Sequence, residues 1–320
     1  MNANSGRFLR LMSALLTFAG GINAQLEAHG ETAPLPSNWW RTWDLDPATV
    51  VSLFVFGALY AAGLGSLRAA TRRPGKLRRE AVYFALGWIV LVIALLSPVH
   101  PLSSVLFYVH MTQHELLMVV AAPLVVLGRP ATVMLWAFPS AACREVLGKL
   151  RQAGLGYVWR WSTNALIAFV MHALVLWVWH VPVLFEATLA SDAVHALQHA
   201  LFFGTALMFW QAVLVGERRA ADYGLAVLYL FLTAMHSGAL GALITFASTP
   251  WYPSYTTRAP MWLLTPLEDQ QLGGLIMWIP AGMIYVVAGL ALFAAWLRES
   301  DRRVRQRPPT EGGSKCARAA

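Results

Sequence analysis

His110 and His114 stand four residues apart at the head of an apolar run that continues through Leu124. On a helix the two imidazoles leave one face about 6 Å apart. Met111 and Met118 fall within roughly 100° of that face, giving a stripe of two imidazoles and two thioethers. His195 and His199 repeat the four-residue spacing further along. Neutral imidazole is the commonest side-chain metal ligand, and two such pairs on separate helices are what a buried site shared between helices requires. Thioether beside imidazole suits Cu(I) better than Zn(II) or Mg(II). His110, His114, His195 and His199 are the expected copper ligands, with Met111 and Met118 softening the set. His172 and His236 are further metal candidates, with an interhelical hydrogen bond as the alternative for each. Glu115 is the acidic residue placed closest to the middle of a span, where an unpaired charge is costly. It reads either as a proton acceptor for ligands that lose protons on binding metal or as a neutral, hydrogen-bonded acid.

The elements that position these residues follow from composition. Of 320 residues 58% are hydrophobic and 12% charged, roughly half the charge fraction of a soluble domain. Repeated apolar runs of about 20 residues predict an all-α polytopic membrane protein, a bundle of seven transmembrane helices. The spans fall near 48–67, 81–98, 104–127, 161–181, 194–215, 224–246 and 273–297. Basic residues crowd alternate connections: Arg68 to Arg79, Arg129 to Arg160, Arg218 with Arg219, and the tail from Arg298. The other connections hold almost none, Arg258 being the exception. By the positive-inside rule the N-terminus is outside and the C-terminus cytoplasmic. The net charge of +8 is then a topology signal, and no nucleic-acid partner is expected.

Residues 1–28 have the layout of a signal peptide, with Arg7 and Arg10 before Leu11 to Ala19 and small residues at Ala24 and Ala28. An uncleaved anchor is the alternative. Cleavage after Ala28 would expose His29 as a further copper-gripping terminus. Residues 29–47, with Trp39, Trp40 and Trp43, read as an outer interfacial segment. Residues 48–297 form the membrane domain, 130–158 includes an amphipathic helix on the inner surface, and 298–320 is a basic, disordered cytoplasmic tail. Cys143 and Cys316 are far apart without a Cys-x-x-Cys pair, which argues against thiol-based metal handling.

This topology places His100, His110, His180, His195 and His199 toward the outer side, and His114, His172 and His236 near the bilayer middle. His100 and His180, at helix ends, read as interfacial hydrogen-bonders. Glu268, Asp269, Gln270 and Gln271 precede the seventh span and either cap it or line an acidic lip at the site's mouth. Glu186 and Asp192 are equally open.

Several stretches together resemble the multi-spanning CtaG assembly factors of caa-type cytochrome c oxidase. They are His110-Met111-x-Gln113-His114 running into Pro123 and Leu127-Gly128-Arg129-Pro130; Trp179-His180-x-Pro182-x-Leu184-Phe185-Glu186-Ala187 with His195-x-x-Gln198-His199; and Pro266-Leu267-x-Asp269-Gln270-x-x-Gly273-Gly274. The resemblance implies a seven-helix, multi-pass protein of the bacterial plasma membrane that helps mature the oxidase. It implies oxidase subunits as partners and a role in copper delivery, and it leaves open whether the protein works alone, as a dimer or beside a soluble copper carrier. Carried over by position, His110, His114, His195 and His199 are the family-type histidines, and Asp269 falls in the matching outer motif. Competing readings are a b-type haem electron carrier, with histidines as axial ligands, and a copper permease. Stacked haems need histidines several turns apart along one helix, whereas the spacings here are four and eight. Ligands confined to the outer half and midplane disfavour a full permeation path. No nucleophile constellation supports an enzyme.

Overall fold

A computed structural model describes residues 34–70, 74–138, 148–149, 152–215 and 220–306. The expected signal peptide, His29, Cys143, Cys316 and the tail beyond 306 lie outside the described residues. Every regular element among those residues is helical, with no strand among them. In chain order the main helices are α1 (Pro47–Ala70), α2 (Pro74–Leu96), α3 (Val99–Ser103), α4 (Phe107–Leu127), α5 (Pro130–Leu135), α6 (Leu155–Ser162), α7 (Ala165–Trp179), α8 (Pro182–Ala190), α9 (Asp192–Leu214), α10 (Ala220–Thr245) and α11 (Pro266–Gln306). Six of these, α1, α2, α4, α9, α10 and α11, are long and apolar enough to cross a membrane.

The expected fourth span takes a different form. At 15 residues, α7 rises only about 22 Å, short of a hydrocarbon core of about 30 Å. It stops at His180 because Pro182 bars the αR conformation for Val181, which is extended at φ −62°, ψ 126°. Helix α8 then leaves at a bend of 74°. The pair is a broken span or a re-entrant hairpin, so the described residues hold six crossing helices, or seven if the pair counts as one.

The seventh expected span is longer than the sequence suggests, since α11 starts at Pro266 and runs unbroken to Gln306. The polar stretch Pro266 to Gln271, read as loop, is its first turns, and the first nine residues of the expected tail are its last. Thr265 and Glu268 close its start as a capping box. The Thr265 hydroxyl accepts from the Glu268 N–H, and the Glu268 carboxylate accepts from the Thr265 N–H. The inner-surface helix expected within 130–158 is represented by α5 and α6, with residues 139–147 and 150–151 outside the described range.

Helix α4 runs through the middle of the bundle. Its Leu117, Ala121 and Val125 pack with Leu53 of α1 and with Leu91 and Ala94 of α2. Its Phe107, Met111, Met118, Val119, Ala122 and Val126 join the main core with α7, α9, α10 and α11. The outward faces are apolar instead, as at Leu174, Phe231, Met235, Val287 and Leu290. Polar residues such as His110, Gln113, Gln198, Asp269 and Gln270 are buried. Apolar outside and polar within is the pattern of a protein whose solvent is lipid.

After Glu115 the α4 backbone widens into a π turn over Leu116–Ala121 before returning to α-helix. Such turns concentrate at functional sites. The Trp210 indole N–H donates to the Met118 carbonyl within this segment, at 2.9 Å.

Helix α11 approaches α4 and α10 where it lacks side chains. A Cβ on Gly273 would overlap the Phe107 ring, and one on Gly274 would overlap Thr245 and the Gly241 carbonyl of α10. Phe107 is 1% exposed, so its ring has little room to yield. Gly273→Ala should therefore destabilise the bundle by about 1–3 kcal/mol. Thermal unfolding in detergent checks this, and an unchanged melting point would mean the helices separate without cost.

Candidate metal centre

The helix that carries His110 and His114 begins without a cap of its own. Leu106, at its N-cap, offers no side-chain acceptor, so the first N–H groups need a partner from elsewhere. Asp269 of α11 supplies it across 162 residues of sequence, with the Phe107 N–H donating to Oδ2 at 2.8 Å and the Tyr108 N–H to Oδ1 at 3.0 Å. The carboxylate is fully buried, where two N–H donors and the positive end of a helix offset its desolvation. Asp269 thus caps a different helix from its own and does not line an exposed lip.

From this start the first two turns of α4 carry His110 and His114 inward. The first two turns of α9 bring His195 and His199 to meet them, α7 ends there on His180, and α3 adds His100. Ligand nitrogens of His110, His195 and His199 all lie within 4.8 Å of one another. Ligands on one ion at about 2.0 Å stand roughly 3.3 Å apart, so small side-chain rotations would close this set. The ring centres are 5.0 Å (His110–His195), 4.2 Å (His195–His199) and 6.4 Å (His110–His199) apart. His114 sits behind them, 4.4 Å from His110 and 5.5 Å from His199. All four imidazoles are buried, the most exposed being His195 at 9%.

Hydrogen bonding fixes which nitrogen is free. His110 Nδ1 lies 3.2 Å from the Ser103 carbonyl and 3.0 Å from the Tyr255 hydroxyl, which itself donates to that carbonyl at 2.9 Å. A carbonyl only accepts, so Nδ1 carries the proton and Nε2 keeps its lone pair. Nε2 lies 3.4 Å from Oε1 of Gln198, on the helix of His195 and His199; that oxygen only accepts, so with the proton on Nδ1 this longer contact is not a hydrogen bond. Nε2 of His195, Nε2 of His199 and both ring nitrogens of His114 are enclosed without a hydrogen-bond partner among the described residues. Buried polar atoms without partners are uncommon and costly. A cluster of imidazoles, each with one lone-pair nitrogen when neutral, fits a soft or borderline metal ion.

His100 closes the cluster on its more exposed side. Its ring stacks on His195 at 5.2 Å. Its Nδ1 accepts from the Gln113 amide at 2.7 Å, and its Nε2 meets Asp44 Oδ2 at 3.1 Å. The second Gln113 amide hydrogen goes to the Ala94 carbonyl. Both His100 nitrogens are therefore engaged, and it forms a wall of the site. The connection between α10 and α11 lies over the same end. Glu186 of α8 accepts from the Ser254 N–H and hydroxyl, Tyr252 donates to the His180 carbonyl, and Gln270 ties Trp251 to the ends of both helices. Arg258, the basic residue at odds with the charge pattern, donates to the Ser104 carbonyl. Burial pushes the hydroxyls of Tyr252 and Tyr255 well above the ordinary tyrosine range, so Tyr255 stays a proton-bearing donor beside His110.

The remaining sequence candidates lie apart from this cluster. Met111 packs against Gly273 and Phe107, and Met118 sits in the apolar core beyond the start of the π turn. His172 makes an interhelical hydrogen bond, with Nδ1 3.1 Å from Thr205 Oγ1 on α9. His236 abuts Phe169. Glu115 Oε2 is enclosed without a partner among the described residues. The sequence reading undervalued His100, His180, Tyr255 and the orienting glutamines Gln113 and Gln198. Both glutamines stood within the quoted motifs, whereas nothing in local sequence singles out Tyr255.

A multi-pass helical membrane protein whose buried histidines converge at one end of the bundle is the class this fold defines. The chain belongs to the cytochrome c oxidase caa3 assembly factor family (Caa3_CtaG), whose profile matches residues 58–299. It is 26% identical over 286 residues to an uncharacterized protein of Mycobacterium leprae, and 27% identical over 286 residues to uncharacterized proteins of Mycobacterium bovis and Mycobacterium tuberculosis. These alignments cover 85–86% of the chain but 42% of each relative, so the chain spans less than half the length of the relatives it matches. No solved structure matches it.

Two tests follow from this geometry. Asp269→Asn leaves one oxygen for two N–H donors and removes the charge, so the melting temperature should fall by the equivalent of about 1–3 kcal/mol; a variant as stable as the parent would remove Asp269 from its capping role. The second concerns Asp44, whose carboxyl the His100 hydrogen bond holds below its ordinary value. A depressed carboxyl stabilises the fold above its unfolded value of about 3.9 and loses that contribution as pH falls through the folded one. The melting point of the parent should thus drop more below about pH 4 than that of Asp44→Asn, and parallel profiles would show the pair to be without weight.

Proposed function

We propose that this chain supports copper insertion into cytochrome c oxidase, holding Cu(I) as cargo and handing it to an oxidase subunit. The observation that carries the reading is the convergence of three imidazoles from two helices, with ligand nitrogens within 4.8 Å and Nε2 of His195 and His199 unpartnered. Neutral nitrogen ligands in a dry pocket suit a monovalent soft ion, which adds little charge to a low-dielectric site. Met111 and Met118 are not required, although a thioether from either would strengthen the preference for Cu(I).

The membrane is the bacterial plasma membrane in this reading, with the N-terminus outside and the C-terminus cytoplasmic. Arg68, Lys76, Arg78, Arg79, Arg298 and Arg302 all lie at the helix ends opposite the histidines, which favours a site opening outward. The oxidase subunit would then receive copper from that side, with a soluble copper carrier as the donor. Close packing of the histidines against Phe185 and Phe202, at ring separations of 4.8 and 4.6 Å, favours a bare ion over a porphyrin, which needs an open slab between its axial ligands.

The test is copper content of the purified, reduced protein together with its visible spectrum. Stoichiometric copper without a Soret band is expected, with at least a tenfold loss in His110→Ala/His199→Ala at unchanged abundance. A Soret band with iron would replace this reading with electron transfer. In cells, loss of the gene should lower active haem-copper oxidase more than other respiratory complexes, with partial rescue by added copper; an unaffected oxidase would refute the assembly role.

A further inference from the structure

His180 is buried at 2% exposure where α7 breaks, and its hydrogen bonding leaves one nitrogen committed to nothing. Its Nδ1 donates to the Leu176 carbonyl at 2.7 Å. That acceptor fixes the tautomer, so Nε2 carries a lone pair, and it is enclosed without a partner among the described residues. A histidine whose inner nitrogen is pinned to a backbone carbonyl is in the form that metal ligands take. The nearest imidazole is His114, 1% exposed, with both nitrogens unpartnered. The two ring centres are 6.2 Å apart with planes at 81°. With metal–nitrogen bonds of about 2.0 Å and ring nitrogens roughly 1.2 Å from their centres, two imidazoles on opposite sides of one ion stand about 6.4 Å apart. The observed spacing of ring centres is compatible with a linear two-coordinate site.

We infer that His114 and His180 hold a second metal ion beside the one at His110, His195 and His199. The class of ion is a closed-shell monovalent one, Cu(I), since two neutral nitrogens in line satisfy it, whereas Zn(II) requires about four ligands. This inference rests on the copper reading above and extends it. His114 lies 4.4 Å from His110 and 5.5 Å from His199 by ring centres. An ion can pass between the two positions by exchanging one imidazole for the next, without release to water.

The experiment loads the full chain with Cu(I) in detergent under anaerobic conditions, removes loose metal and measures copper per chain. His180→Asn keeps a donor for the Leu176 carbonyl and lacks the outer nitrogen. The parent should hold about two ions and His180→Asn about one, a twofold loss. X-ray absorption on the parent should give a mean nitrogen count between those of two- and three-coordinate copper. One ion in both proteins would overturn the second site and leave the copper reading standing, whereas two in both would place the second ion elsewhere. No copper in the parent would overturn both. If His180→Asn is not recovered folded, His180→Gln takes its place, and a parent holding a single ion refutes the inference without any variant.

Discussion

A single buried carboxylate sets the frame of the histidine end. Asp269 has no contact with water and spends both oxygens on the first two N–H groups of the helix that bears His110 and His114. An ionised carboxylate in this setting is tolerable only because the N–H groups and the helix's positive end are fixed in place before it. The helix start is tolerable only because the carboxylate is there. Neither group can be satisfied unless α11 and α4 are docked, so the cap joins the last long helix to the central one. The glycines that follow Asp269 let the two backbones come close enough for it to reach.

Around that frame the imidazoles are oriented by partners held in fixed donor or acceptor roles. The carbonyls of Ser103 and Leu176 fix the tautomers of His110 and His180, and Gln113, itself tied to the Ala94 carbonyl, fixes that of His100. Backbone carbonyls cannot donate, so each constraint points the remaining lone pair one way. The arrangement sets ligand geometry through parts of the chain that are themselves held by helix ends. The loop that brings Tyr255 over His110 is held in turn by Glu186 and Gln270.

The four-residue spacings of His110 with His114 and His195 with His199 were legible because helical periodicity alone assigns each pair to a face. That the two faces meet at one end followed from span order and the basic connections. Helix ends were less legible. Pro266 to Gln271 look like loop because carboxylates and amides usually are, and here they are helical because they cap and tie neighbouring elements. His180 resembled an interfacial residue because its value depends on the break at Pro182 and on a partner 66 residues away in sequence. The expected fourth span ran past that break because apolar composition continues through it. Met118 was placed by extrapolating an α-helical period across Leu116–Ala121, where the backbone does not keep that period.

That wide turn makes α4 a screw with a fault in its thread. Ahead of it, Phe107 and Met111 mesh with Gly273 of α11. Within and beyond it, Leu117, Ala121 and Val125 mesh with α1 and α2. The extra residue in the turn resets the rotation of the rod there, while Met118, Val119, Ala122 and Val126 keep its other face in the main core. One rod thereby carries two threads, presenting the histidine pair before the turn and an apolar face to α1 and α2 within and after it.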